Sequence, residues 1–130
     1  MLGWGFPPNI TGGLDVHVGE LFTGLRDDRD VDVTLVLPAE FAPDDEPGLE
    51  PVETGSGDVA ARVERLSDRF AALAADHDVI HTHDWFGYGP GRAAARASDA
   101  TWVSSFHSLA SDRNIDPPTR EVETERRLAN

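Results

Sequence analysis

The chain has 130 residues and no cysteine, and it carries 24 Asp and Glu against 11 basic residues, all arginine, for a formal net charge of -13. Without cysteine there is no disulfide framework, thiolate metal site or thiol nucleophile, and this much negative charge repels nucleic acid and anionic membranes, so neither is expected as a partner. No apolar run is long enough to span a bilayer, and the start lacks a signal-peptide pattern; the expectation is a cytoplasmic protein with no integral membrane segment.

The elements follow from the hydrophobic periods. Residues 2–6 (LGWGF) read as the tail of a strand that Pro7 and Pro8 stop. A helix is expected from about Gly13 to Arg26, with Leu14, Val18, Leu21, Phe22 and Leu25 on one face. Alternation over 31–38 (VDVTLVLP) predicts a strand. Residues 38–57, rich in Pro, Gly, Asp and Glu, read as an exposed loop. A second helix is expected from about Asp58 to Ala75, with Val59, Val63, Leu66, Phe70 and Leu73 on its apolar face. Then come a strand at 78–83 (DVIHTH), a helix near 88–98, a strand at 101–106 (TWVSSF) and a loop at 108–116. A last helix follows, with Asp116 as its cap and Pro117 in its first turn.

Strands alternating with helices at this spacing predict an α/β fold, a Rossmann-like parallel sheet with helices on both faces. Ligands of such sheets bind at the carboxyl ends of the strands. Three loops belong to that edge: Pro7 to Gly13, His83 to Gly87, and the segment from His107 onward. The length implies a single domain over 1–130. Its first strand is very short and its last helix runs to Asn130, so the domain is expected to be incomplete at both ends. The acidity is spread along the chain, densest at 43–53. With lysine absent, this reads as a salt-adapted, halophile-type surface that needs high salt to offset self-repulsion.

Gly12 and Gly13 stand directly before the first helix. Unpaired N–H groups and a partial positive charge at a helix start suit a phosphate, and glycine lets it approach the backbone; a plain turn is the alternative. The start GWGFPP has Pro8 where a dinucleotide fingerprint needs its third glycine, and a P-loop needs a lysine. His81 and His83 lie two apart on a strand and project to one face. That spacing allows zinc, as in a His-x-His metal-dependent hydrolase, if Asp84 and His107 join; the alternative is a hydrogen-bonded core His81 and no metal. Asp84 and Trp85 at the strand end can accept from a sugar hydroxyl and wall a pocket, or serve as a cap and a core residue. His107, at the next strand end, is placed to bond a polar ligand.

Three segments in register resemble retaining glycosyltransferases of the GT-B fold, family four and the related glycogen and starch synthases. They are GWGFPPNITGGLDVHVGELFTGL, DVIHTHDWFGYGPGRAAA and WVSSFHSL; the terminal EVETERRLAN is similar to that family's next helix. The resemblance implies the N-terminal, acceptor-side half of such an enzyme. It implies that Gly12 and Gly13 approach the donor phosphates, that Asp84 and His107 are catalytic at the sugar pocket, and that Trp85 supports its wall. No cofactor is implied beyond a nucleotide-sugar co-substrate, with a glycan or lipid hydroxyl as acceptor. Asp15 departs from the family's usual glycine and would be unhelpful near phosphates unless it points away. The donor-binding C-terminal domain, with its Arg/Lys pair, is absent from this sequence. The isolated chain is therefore expected to be inactive, needing that domain in cis or in trans. The alternative is a non-enzymatic remnant or a partner-binding half of a split enzyme.

Overall fold

The computed structural model describes residues 1–114 and 116–130. Among these, five α-helices alternate with four strands, and both strand pairs are parallel. This is the α/β, parallel-stranded build expected of a Rossmann-like half-domain. The chain divides into two units, Met1–Ser56 and Gly57–Asn130.

In the first unit α1 spans Gly13–Arg26, as its apolar period predicts, and buries Val18 and Phe22. Strand β1 is Leu35–Pro38, buried throughout. It is shorter than the expected 31–38 because Val31 remains exposed. The expected strand at 2–6 is reduced to one bridge, Leu2 beside Val36, flanked by hydrogen bonds from Gly3 N–H to the Val36 carbonyl and from Val36 N–H to the Met1 carbonyl, both 2.9 Å. Pro7, which has no N–H to donate, limits its length.

Residues 38–57 are not all loop, and that expectation is corrected. They contain a 3-10 turn, Ala39–Phe41, and strand β2, Leu49–Val52, parallel to β1 with Leu35 opposite Leu49. Glu50 and Pro51 hide the strand from a hydrophobic-period reading, yet proline is tolerated on a strand paired on one side. Gly48, at φ +84°, turns the chain into β2, and its carbonyl accepts the Leu35 N–H at 2.9 Å. The core joins Phe6, Val18, Phe22, Leu35 and Leu37, with Phe6 edge-on to Phe22 at 5.7 Å.

In the second unit α2 spans Val59–Ala74, capped by the Asp58 carboxylate, which accepts from Ala61 N–H at 2.8 Å. It buries Val63, Leu66 and Phe70. Strands β3 (Val79–His83) and β4 (Thr101–Ser105) run parallel, with His83 opposite Ser105. Helix α3, Tyr88–Ala97, connects them. The Trp102 ring lies so close to α3 that a Cβ on Gly91 would come within 2.3 Å of it. The Trp102 indole N–H donates to Thr82 Oγ1 at 2.9 Å.

A short helix, α4 (Ala110–Arg113), occupies part of the expected loop 108–116, of which Ile115 lies outside the described residues. Helix α5 is Thr119–Leu128, and Pro118, not Asp116, holds the N-cap position. The reason is local: a residue before proline avoids helical dihedrals, so Pro117 cannot begin the helix ahead of Pro118. The described helices include none long and apolar enough to cross a membrane.

Candidate functional site

The sequence-predicted residues fall in both units: Gly12 and Gly13 in the first, Asp84, Trp85 and His107 in the second. Gly12 is the N-cap of α1, and Gly13 is its first helical residue. Gly12 has φ -174°, extended backbone open to any residue. A Cβ at either position would meet no atom within 4 Å. Neither conformation nor packing thus demands glycine here, and the backbone stands open to an approaching group.

Asp15 explains how this loop keeps its shape. It is 2% exposed. Its Oδ1 accepts from Gly5 N–H at 2.9 Å. Its Oδ2 accepts from Thr11 N–H at 2.6 Å, Thr11 Oγ1–H at 2.7 Å and Gly12 N–H at 3.2 Å. The charge is turned inward and neutralised by four donors, which reconciles an acidic residue with a phosphate-accepting loop. Gly5 has a steric requirement, since a Cβ there would lie 2.4 Å from Asp15 Oδ2. Because Gly12 N–H is taken, the N–H groups left at the helix start are those of Gly13 and Leu14.

In the second unit the parallel register brings Asp84 and His107 to the same strand edge. Asp84 Oδ1 accepts from His107 N–H at 2.8 Å, and Asp84 N–H donates to the Ser105 carbonyl at 2.9 Å. Asp84 has φ 50° and ψ -170°, near a region populated almost only by glycine. Strain of this kind, on the order of 1–3 kcal/mol, persists where surrounding bonds fix the residue, and it clusters at functional sites. The two bonds to the end of β4 are those fixing bonds.

His83, fully buried, shares a hydrogen bond through Nδ1 with Nε2 of the exposed His107 at 3.1 Å. Its neighbour His81 lies on the same face, ring centroids 4.4 Å apart, and bonds Ser105 Oγ through Nε2 at 2.8 Å. The edge is a row of imidazoles in which a buried histidine orients an exposed one. Of two such nitrogens only one carries the hydrogen, so the bond couples the tautomer of His107 to that of His83.

Trp85 follows Asp84 but lines a cleft formed with α2, α3 and α5. The sequence reading missed the part played by three residues: Asp15, His83 and Glu125. Glu125, 7% exposed, accepts from Ala110 N–H at 2.9 Å and so fastens the segment after His107 to α5. Arg113 adds bonds to the Ser108 carbonyl at 2.7 Å and to Glu121 Oε2 at 3.0 Å. The one sequence signal for Glu125 was an acid on the core-facing stripe of its helix.

Residues 12–130 match the glycosyl transferase 4-like domain, and the chain belongs to that family. It is 28% identical to a glycogen synthase of Mycobacterium tuberculosis, over 88% of this chain and 34% of that protein. It is 34% identical to an alpha-maltose-1-phosphate synthase of the same organism, over 80% of this chain and 26% of that protein. An uncharacterized glycosyltransferase of Methanocaldococcus jannaschii is 31% identical over 83% of this chain and 30% of its own length. The chain thus spans about a third or less of the length of these curated relatives. No solved structure matches it.

Proposed function

We propose that this chain is the N-terminal, acceptor-side domain of a cytoplasmic GT-B glycosyltransferase that moves a sugar from a nucleotide-sugar to a hydroxyl acceptor with retention. The observation that carries the reading is the junction of Asp84 and His107 at the carboxyl edge of β3 and β4, in a chain of this family. His107 bonds a hydroxyl of the transferred sugar. Asp84 holds the His107 backbone and keeps the imidazole at the edge. The N–H groups of Gly13 and Leu14, at the positive end of α1, stabilise phosphate charge. Gly12 contributes an absence of side chain, and Trp85 a wall beside the edge. The names of the two mycobacterial relatives make α-glucans the first acceptors to try.

Departure of a nucleoside diphosphate needs cationic groups aimed at the charge that develops. Those groups belong to the donor-binding domain, supplied in cis or in trans. By itself the 130-residue chain transfers sugar at a negligible rate. The test is the native protein, captured from its source cells with an antibody to residues 38–57, weighed intact and assayed with UDP-glucose and ADP-glucose on maltooligosaccharides. A species heavier than 14.1 kDa, or a 14.1 kDa chain bound to a second protein, with glucosyl transfer, is expected. A lone 14.1 kDa chain that transfers glucose by itself would overturn the two-domain reading. A lone chain with neither partner nor transfer would favour the remnant.

A further inference from the structure

The second unit carries a cleft that the transfer chemistry does not use. It opens between α2, the turn at Trp85–Gly87, the start of α3, and α5, with a volume of about 170 Å³. Trp85, Tyr88 and Pro90 form an aromatic and apolar wall, and Glu64, Ser67 and Arg120 supply polar groups. The Glu64 carboxylate, the Arg120 guanidinium and the Trp85 indole N–H have no hydrogen-bond partner among the described residues.

This lining selects a ligand class. One carboxylate and one guanidinium offset each other, so the cleft has no net charge with which to draw an anion into a chain of net charge -13. A wholly apolar ligand would leave three polar groups unused. A ligand with a CH-rich face and hydroxyls around its edge uses everything present. Its face packs on an aromatic ring, and its hydroxyls donate to Glu64 and accept from Arg120 and the Trp85 N–H. That description is a hexopyranose. The volume is below the roughly 300–1,000 Å³ of pockets for drug-sized ligands, so the cleft holds one ring of a longer chain.

We propose that this cleft is a non-catalytic subsite holding one hexopyranosyl unit of a neutral glycan. The choice of an α-glucan as that glycan rests on the transferase reading. Trp85 directly follows Asp84, so a glycan seated here is tethered next to the strand ends. Tethering raises the effective concentration of its reactive end without any new contact at the reaction centre.

The experiment is an NMR titration of the chain with maltotriose, read on the indole N–H signals of its three tryptophans. The Trp85 signal is expected to move and saturate. Glu64→Ala and Arg120→Ala are each expected to weaken binding by about tenfold, the loss of one charge-assisted hydrogen bond. Gly89→Leu adds bulk to the cleft wall at a helical position where a Cβ meets no atom within 4 Å, and it is expected to block binding while the fold survives. An unmoved Trp85 signal through the millimolar range overturns the subsite, as does equal affinity in all three variants. ADP-glucose and UDP-glucose are added to the same sample. If they shift the Gly13 and Leu14 amides while maltotriose leaves Trp85 unmoved, the subsite falls and the transferase reading stands. The reverse pattern supports the subsite and counts against the transferase reading.

Discussion

Two buried carboxylates, Asp15 and Asp84, hold backbone N–H groups at the two places the family chemistry points to. Asp15→Ala removes the acceptor for three backbone N–H groups and the Thr11 hydroxyl, with little room for water to replace it. A loss of about 3 kcal/mol is expected, read by urea denaturation. Asp15→Asn keeps the shape and one acceptor oxygen and should lose less. At Asp84 two effects oppose. Asp84→Gly relieves dihedral strain on the order of 1–3 kcal/mol and gives up a charge-assisted hydrogen bond of about 1.5–3 kcal/mol. Global stability is therefore expected to change little, while the His107 amide loses protection from hydrogen exchange. A large stability change with unaltered His107 exchange would contradict the positioning role. Asp84→Asn keeps an acceptor for that amide and should preserve its protection.

The elements show where sequence reading succeeds. α1, α2, α3, β3 and β4 carry strong periods and form within a residue or two of the expected bounds. β2 was hidden because its partner, not its composition, makes it a strand: Glu50 and Pro51 sit opposite Val36 and Leu37 of a fully buried β1. The start of α5 was misplaced because the Pro117–Pro118 pair moves the first helical turn onward. At the site, Gly12, Gly13, Asp84 and His107 were legible from motif and position. The inward turn of Asp15, the His83–His107 bond and the Glu125 tie were not, since each depends on which side chain fills a space after folding. The Glu125 tie is testable as an element contact. Glu125→Gln should keep the Ala110 bond, whereas Glu125→Leu should speed exchange at Ala110 and loosen the segment after His107. Packing of α3 is equally specific. Gly91→Ala forces a methyl against the rigid Trp102 ring, and a destabilisation of about 1–3 kcal/mol is expected by thermal denaturation.

For the whole molecule, charge is the governing quantity. With net charge -13 and no lysine, self-repulsion opposes folding, and added salt screens it. The proposed salt-adapted character predicts a melting temperature that climbs steadily from low to molar sodium chloride; a flat or falling curve would contradict it. The central claim is that the start of α1 and the edge that ends in Asp84 and His107 serve one nucleotide-sugar. The measurement that tests it most directly is an amide-resolved titration of the chain with UDP-glucose and ADP-glucose, with His107→Ala as the comparison. The account predicts that one of the two donors shifts Gly13, Leu14 and His107 together along a single saturation curve. It also predicts that His107→Ala weakens that curve without altering the unliganded spectrum elsewhere. Saturable shifts confined to other residues, or no response to either donor, would contradict it.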